Sequence, residues 1–237
     1  VPDIASDTLA ALRSVGVATL TVPLRRRGFA STFIPGLRAT RPDLRMVGVA
    51  RTVRYLPTRA DVAAAQSDTS VETNAQRRAF DTVGAGEVIV IEARGRIDAA
   101  TLGDVLATRA LMRGAAGVVT DGALRDTPAF AGVDLPVYHR ASHGTVAGAV
   151  HVPLETDVPI ACGEVLVLPG DVLVGDAEGV VVIPRALVDE VAAEALEAER
   201  RESWALERVR AGESIAGVFP LGAGHLAEYE AWRAGRP

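Results

Sequence analysis

Apolar positions recur along the chain at two spacings, and the switches between them predict the elements. Ser6–Leu12 reads as a short capped helix, and the β-branched run Val17–Val22 after it as a strand. Val47–Val53 predicts a second strand, ending near Pro57. Asp61–Val83 predicts a helix, although Ser67, Thr69, Ser70 and Thr73 are poor helix formers. Gly84-Ala85-Gly86 breaks it, and Glu87–Glu92 (EVIVIE) has the continuous apolar run of a buried strand. Leu102–Arg113 predicts an amphipathic helix stopped by Gly114, followed by a strand at Ala116–Thr120. The loop DGALRD, a short helix near Thr127–Ala131 and a strand near Leu135–Tyr138 come next.

After Gly144 the spacing tightens. Thr145–Pro153, Glu164–Leu168, Asp171–Val174 and Gly179–Ile183 predict short neighbouring strands, antiparallel because the turns between them are brief. Pro184 opens a long helix from Arg185 to about Arg210, ended by Ala211-Gly212, and the tail after Pro220 shows little pattern. The fold class is α/β with a mixed sheet.

Composition removes several chemistries. All 25 basic side chains are arginine, so a Schiff-base lysine, a lysine-held pyridoxal phosphate and a phosphate-loop lysine are excluded. The single cysteine, Cys162, excludes an internal disulfide framework and a multi-cysteine zinc site; it reads as a small buried residue in a cytoplasmic protein. No apolar run reaches the ~18 residues of a membrane span, and no secretory leader is expected. Net charge is −5, but residues 1–60 set ten arginines against Asp3, Asp7 and Asp43, a balance of +7. Arg25–Arg27 is too short and too poor in aromatics to predict nucleic-acid binding. An anionic small molecule or a neighbouring subunit's acidic helix would answer the same charge.

The densest polar cluster is TDGALRD, Thr120–Asp126, just beyond a strand end, where open α/β sheets place ligands. Upstream, Gly103-Asp104-Val105-Leu106 opens a helix whose free N–H groups favour a carboxylate. If the two loops converge, Asp104, Arg125 and Asp126 suit Mg²⁺ or Mn²⁺, with Arg125 gripping an oxyanion. Each residue also has an ordinary explanation: Asp126 as an N-cap before Thr127-Pro128, Asp104 as a first-turn acid, Arg125 as a solvated arginine. His139 and His143 read as exposed loop histidines, and neither Gly84–Gly86 nor Gly222–Gly224 sits in a dinucleotide-binding context.

The segment LGDVLATRALMRGAAGVVTDGALRD resembles the signature of the regulator-of-ribonuclease-activity-A-like (RraA-like) family, which includes the class II 4-hydroxy-4-methyl-2-oxoglutarate aldolases. Its pattern is an aspartate, twenty intervening residues and Arg-Asp, met here by Asp104 and Arg125-Asp126. MVGVARTVRYLP, AGEVIVIEARG and PGDVLVGDAEGVVVIP resemble family segments in the same order, from about residue 45 to 210. The resemblance implies a single domain over 1–237, with a 45–210 core and a 211–237 tail. It also implies an α/β/α sandwich similar to swivelling phosphohistidine domains, with a long C-terminal helix.

For the site, the resemblance implies that Asp126 binds a divalent metal and Asp104 holds a water on it. Arg125 would contact the substrate's carboxylate or keto oxygen, and the backbone of Gly103, Asp104, Val105 and Leu106 the pyruvyl carboxylate. It implies a trimer or hexamer with interfacial sites, where Glu197, Glu199 or Glu202 would serve a neighbouring subunit. The expected reaction is cleavage of a 4-hydroxy-2-oxo acid to pyruvate, with oxaloacetate decarboxylation as a side activity. Since the family's namesake inhibits a ribonuclease, a non-catalytic binding protein is the alternative.

Overall fold

The computed structural model describes residues 4–61 and 70–236. Helices α1 (Ser6–Ser14) and α2 (Val17–Arg26) lead through β1 (Phe33–Ile34) and β2 (Arg38–Ala39) to the long strand β3 (Met46–Pro57). Helix α3 (Ala75–Thr82), β4 (Glu87–Glu92), β5 (Ala100–Leu102), α4 (Asp104–Met112), β6 (Gly117–Thr120) and β7 (Ala123–Leu124) follow. A 3-10 turn at Thr127–Gly132 precedes β8 (Val137–His139) and β9 (Ala141–Ser142). Then come β10 (His151–Thr156), β11 (Ile160–Cys162), β12 (Val165–Val167), β13 (Val172–Gly175) and β14 (Val180–Ile183). Helices α5 (Val188–Arg210) and α6 (Leu226–Ala234) close the chain.

The main sheet is mixed, in the order β1-β14-β13-β3-β4-β6-β8-β2, with β10 also on β3. Strands β3, β4, β6 and β8 are parallel, and β13, β14, β1, β2 and β10 join antiparallel. Alternation along the strands sorts side chains to two faces. Ile89 and Ile91 of β4 pack with Phe80, Ala107 and Ala110 of α3 and α4, whereas Val88 and Val90 pack with Ile160, Cys162 and Val165. Val172, Val174, Val181 and Ile183 lie under α1, α2 and the first half of α5, where Val188, Val191, Ala192 and Ala195 follow helical spacing. A separate three-stranded parallel sheet, β5-β7-β9, sits beside the main one. The mixed α/β class and the long C-terminal helix thus match the expectation.

Four elements differ from it. Val17–Val22 is helical: Val17, Leu20 and Leu24 are buried at helical spacing, and that packing overrides β-branched propensity. Of the expected helix Asp61–Val83, residues 62–69 lie outside the described residues; the described helix is Ala75–Thr82, started by Asn74, whose Oδ1 accepts from Arg77 N at 3.1 Å. The strand expected from Thr145 begins only at His151, after a 3-10 turn at Ala147–Ala149. The tail carries α6, whose Tyr229 packs against Trp204 of α5.

The arginine-rich start is largely answered within its own chain. Arg27 bonds Glu190 and Glu194 on α5, Arg41 bonds Asp43 and Asp134, and Arg45 sits 3.5 Å from Asp176. Of these, Arg27 meets an acidic helix, and that helix is the chain's own. Among the described residues, no helix is long and apolar enough to cross a membrane.

Candidate active site

Strands β5 and β7 pair in parallel, Ala100 with Ala123 and Leu102 with Leu124. Strand β7 lies within the expected polar loop, and β5 ends on Leu102, the first residue of the expected helix. Their pairing brings the residue after each strand together: Arg125 N donates to Leu102 O at 3.1 Å, beside Gly103. Gly103 is the N-cap of α4, so no N-cap side chain covers the first-turn N–H groups.

Gly103 leaves room for the Arg125 and Asp126 side chains. A Cβ there would stand 2.5 Å from Asp126 Oδ2 and 3.2 Å from Arg125 Cγ. Asp126 reaches that place with a left-handed backbone, φ 56°, unfavourable for a residue with a Cβ. Its side chain does not cap the following 3-10 turn. Instead Oδ2 accepts from Arg125 Nε at 2.8 Å, and both side chains stay about half exposed. That carboxylate raises the Arg125 guanidinium further above its ordinary range, and Asp104 adds to the effect. Asp104 Oδ1 accepts from Val105 N at 2.8 Å. The two loops therefore converge, and the capping role considered for Asp126 is not the one it plays.

These residues line a cavity of about 690 Å³. Gly103, Asp104, Val105, Leu106, Arg125 and Asp126 all contribute. The opposing parts of the lining come from residues the sequence did not single out: Gln76 and Arg77 at the start of α3, Thr101 on β5, and His151 on β10. Gln76 Nε2 donates to Thr101 O, and the Thr101 hydroxyl donates to Ala123 O at 3.1 Å, binding α3, β5 and β7 together. His151 is fully buried against the edge of Tyr55, ring centroids 4.9 Å apart, and neither ring nitrogen has a hydrogen-bond partner. No local motif marks these residues, because separate elements bring them in.

One expectation changes. His139 is buried on β8, with Nδ1 against Ala141 O at 2.8 Å, so it is no exposed loop histidine. Asp121, inside TDGALRD, is a buried structural carboxylate, accepting from Ala93 N at 2.6 Å, Gly95 N at 2.8 Å and Gly163 N at 3.2 Å. Cys162 is free and buried, as expected, and burial pushes its thiol up.

Among the described residues, no group of three or more His, Cys, Asp or Glu side chains could hold a metal ion. The carboxylates at the cavity are two, Asp104 and Asp126; a further potential donor on the lining, the His151 imidazole, is fully buried. That set is too sparse for zinc or a calcium cage, but it fits Mg²⁺ or Mn²⁺, which keep several waters and take one or two carboxylates. Glu197 accepts from Tyr229 and Arg201, and Glu199 from Thr19 and Gly16, within their own chain. Among the described residues Glu202 makes no such bond, and partial burial with Glu199 nearby raises its carboxyl above the ordinary range.

The RraA-like family model, described as Aldolase/RraA, matches residues 7–182. A Halalkalibacterium halodurans protein named "Putative 4-hydroxy-4-methyl-2-oxoglutarate aldolase" is 36% identical over 147 residues, 62% of this chain and 63% of that protein. The match thus spans less than two thirds of that relative's own length. Among solved structures, a protein from Pseudomonas syringae pv. tomato is 28% identical with a TM-score of 0.78, covering 91% of this chain and 98% of the other. Streptomyces coelicolor RraAS2, described as an unusual member of the RNase ES inhibitor RraA protein family, is 29% identical with a TM-score of 0.74, covering 84% and 96%.

Proposed function

The chain belongs to the RraA-like family, and from that premise we propose that it is a divalent-metal-dependent lyase cleaving a 4-hydroxy-2-oxo acid of the 4-hydroxy-4-methyl-2-oxoglutarate type to pyruvate. The observation that carries the reading is the convergence of Asp104, Arg125 and Asp126 on the open start of α4, with Gly103 kept bare to admit the Asp126 carboxylate.

Breaking the C3–C4 bond leaves an electron pair on the pyruvyl half, and the chain has no lysine to take it as an iminium. Asp126, with Asp104 acting through water, would hold Mg²⁺ or Mn²⁺, which when bound supplies Lewis acidity toward the enolate oxygen. Cleavage also takes the C4 hydroxyl proton to a base, leaving a carbonyl at C4, and returns a proton to C3 of the enolate to give pyruvate. First-turn N–H groups from Gly103 to Leu106 bind the pyruvyl carboxylate, where the helix dipole favours an anion. Arg125, fixed by its bond to Asp126, places a permanent positive charge where negative charge develops. Decarboxylation of oxaloacetate yields the same enolate and is the expected side reaction.

Of the three glutamates considered for a neighbouring subunit's site, Glu202 is the one not already bonded among the described residues. Val105, on the cavity lining, and Met112, at the other end of α4, stand exposed, as an interface between copies would require. A trimer or hexamer with shared sites follows from this reading.

The test is pyruvate release from 4-hydroxy-4-methyl-2-oxoglutarate and from oxaloacetate. Release should need Mg²⁺ or Mn²⁺, stop with EDTA, and fall at least about 100-fold in Arg125→Ala, Asp126→Ala and Gly103→Ala. Full activity in all three variants would remove these residues from the site. No turnover by the wild type, together with ribonuclease inhibition, would establish the binding-protein alternative.

A further inference from the structure

The cavity is larger than a three-carbon acid can fill, and its charges are unevenly spent. Arg125 is engaged by Asp126, and one Asp104 oxygen by a backbone N–H. Arg77 is different. It lines the same cavity from the first turn of α3, where its backbone N–H bonds the capping Asn74. Among the described residues, its guanidinium has no ion pair and no hydrogen bond. The helix dipole does not account for a cation there, because positive charge is disfavoured at a helix start. The position is nonetheless rigid, since the buried Ala75, Ala79 and Phe80 fix α3 to the core. A free guanidinium on a fixed wall of an anion-binding cavity matches a second carboxylate in geometry and charge.

We propose that Arg77 binds an anionic group at the far end of the substrate, so that the site selects dianionic 2-oxo acids over monoanionic ones. This assignment rests on the reading that Arg125 and the start of α4 hold the 2-oxo acid end. Arg77 acts in specificity and takes no part in bond cleavage.

Calorimetric titration in the presence of Mg²⁺ tests it, with 2-oxoglutarate as the dianionic probe and 2-oxohexanoate as a monoanion of similar length. The wild type should bind 2-oxoglutarate about tenfold or more tightly than 2-oxohexanoate. Arg77→Ala should erase that preference by weakening 2-oxoglutarate alone, Arg77→Lys should restore part of it, and Arg125→Ala should weaken both ligands. Equal affinities in the wild type, or equal losses for both ligands in Arg77→Ala, would overturn the assignment. So would failure of both acids to bind, which would also remove the 2-oxo acid reading. Preference for 2-oxoglutarate without pyruvate release from any 4-hydroxy-2-oxo acid would sustain Arg77 and reject only the lyase.

Discussion

Asp104, Arg125 and Asp126 could be read from the chain because their spacing and context recur as a unit, and a strand end followed by a glycine-led helix start is an anion site on physical grounds. Arg77 and His151 could not, because each is a lone residue whose place depends on which elements pack together. His151 shows what burial adds. Its imidazole is enclosed, with Arg94 and Arg96 nearby, and is pushed down to about 4 by desolvation first and Arg94 next, Asp98 opposing. The ordinary value in an unfolded chain is about 6.5. The fold therefore favours the neutral ring, and the stability this confers is complete above about pH 6.5 and lost as pH falls toward 4. Urea midpoints should show the wild type losing on the order of 2 kcal/mol from this group between pH 7 and pH 5. His151→Leu should show a correspondingly flatter decline over that window. Equal slopes in the two proteins would place the acid sensitivity elsewhere.

At the scale of elements, the long or strongly periodic segments were legible: β3, β4, α4 and α5 lie close to where their patterns put them. The misread ones are those whose neighbours decide. Val17–Arg26 has strand-like residues on a helical stripe, and β5 and β7 are too short to show a period of two, although their pairing builds the site. The loop after β6 divides its acids by task. Asp126 faces the cavity, whereas Asp121 is buried and ties the turn after β4 to the turn between β11 and β12 through three backbone N–H groups. Removing that acceptor strands the buried donors of Ala93 and Gly163. Asp121→Ala should therefore cost about 3 kcal/mol in thermal or urea unfolding, and Asp121→Asn, which keeps one carbonyl oxygen, distinctly less. Asp104→Ala, on an exposed helix start, should cost well under about 1 kcal/mol. Similar stability losses at positions 121 and 104 would contradict this division.

At the scale of the whole molecule, three of the apolar clusters meet on the main sheet, and one does not. Trp204, Ala205, Val218 and Tyr229 form that fourth cluster, with Leu221 and Trp232 packed against it, joined to the rest through the second half of α5. Its sequence signal is faint because α6 fully buries only Tyr229, too little to give a nine-residue helix an apolar face. Both tryptophans of the chain lie in this cluster, Trp204 inside it and Trp232 on its rim with Nε1 bonded to Glu207 at 2.8 Å. Tryptophan fluorescence consequently reports the C-terminal cluster, while far-ultraviolet circular dichroism is dominated by the sheet and the helices packed on it. With only four buried residues of its own, the cluster has far less apolar area holding it than the sheet layers have, and local opening should require less free energy than global unfolding. The fluorescence transition in urea should precede the dichroism transition. Trp204→Phe should leave Trp232 as the reporter and preserve that order. Coincident transitions for both signals in both proteins would mean that α5 transmits the cooperativity of the sheet to its far end, making the C-terminal cluster part of one unfolding unit.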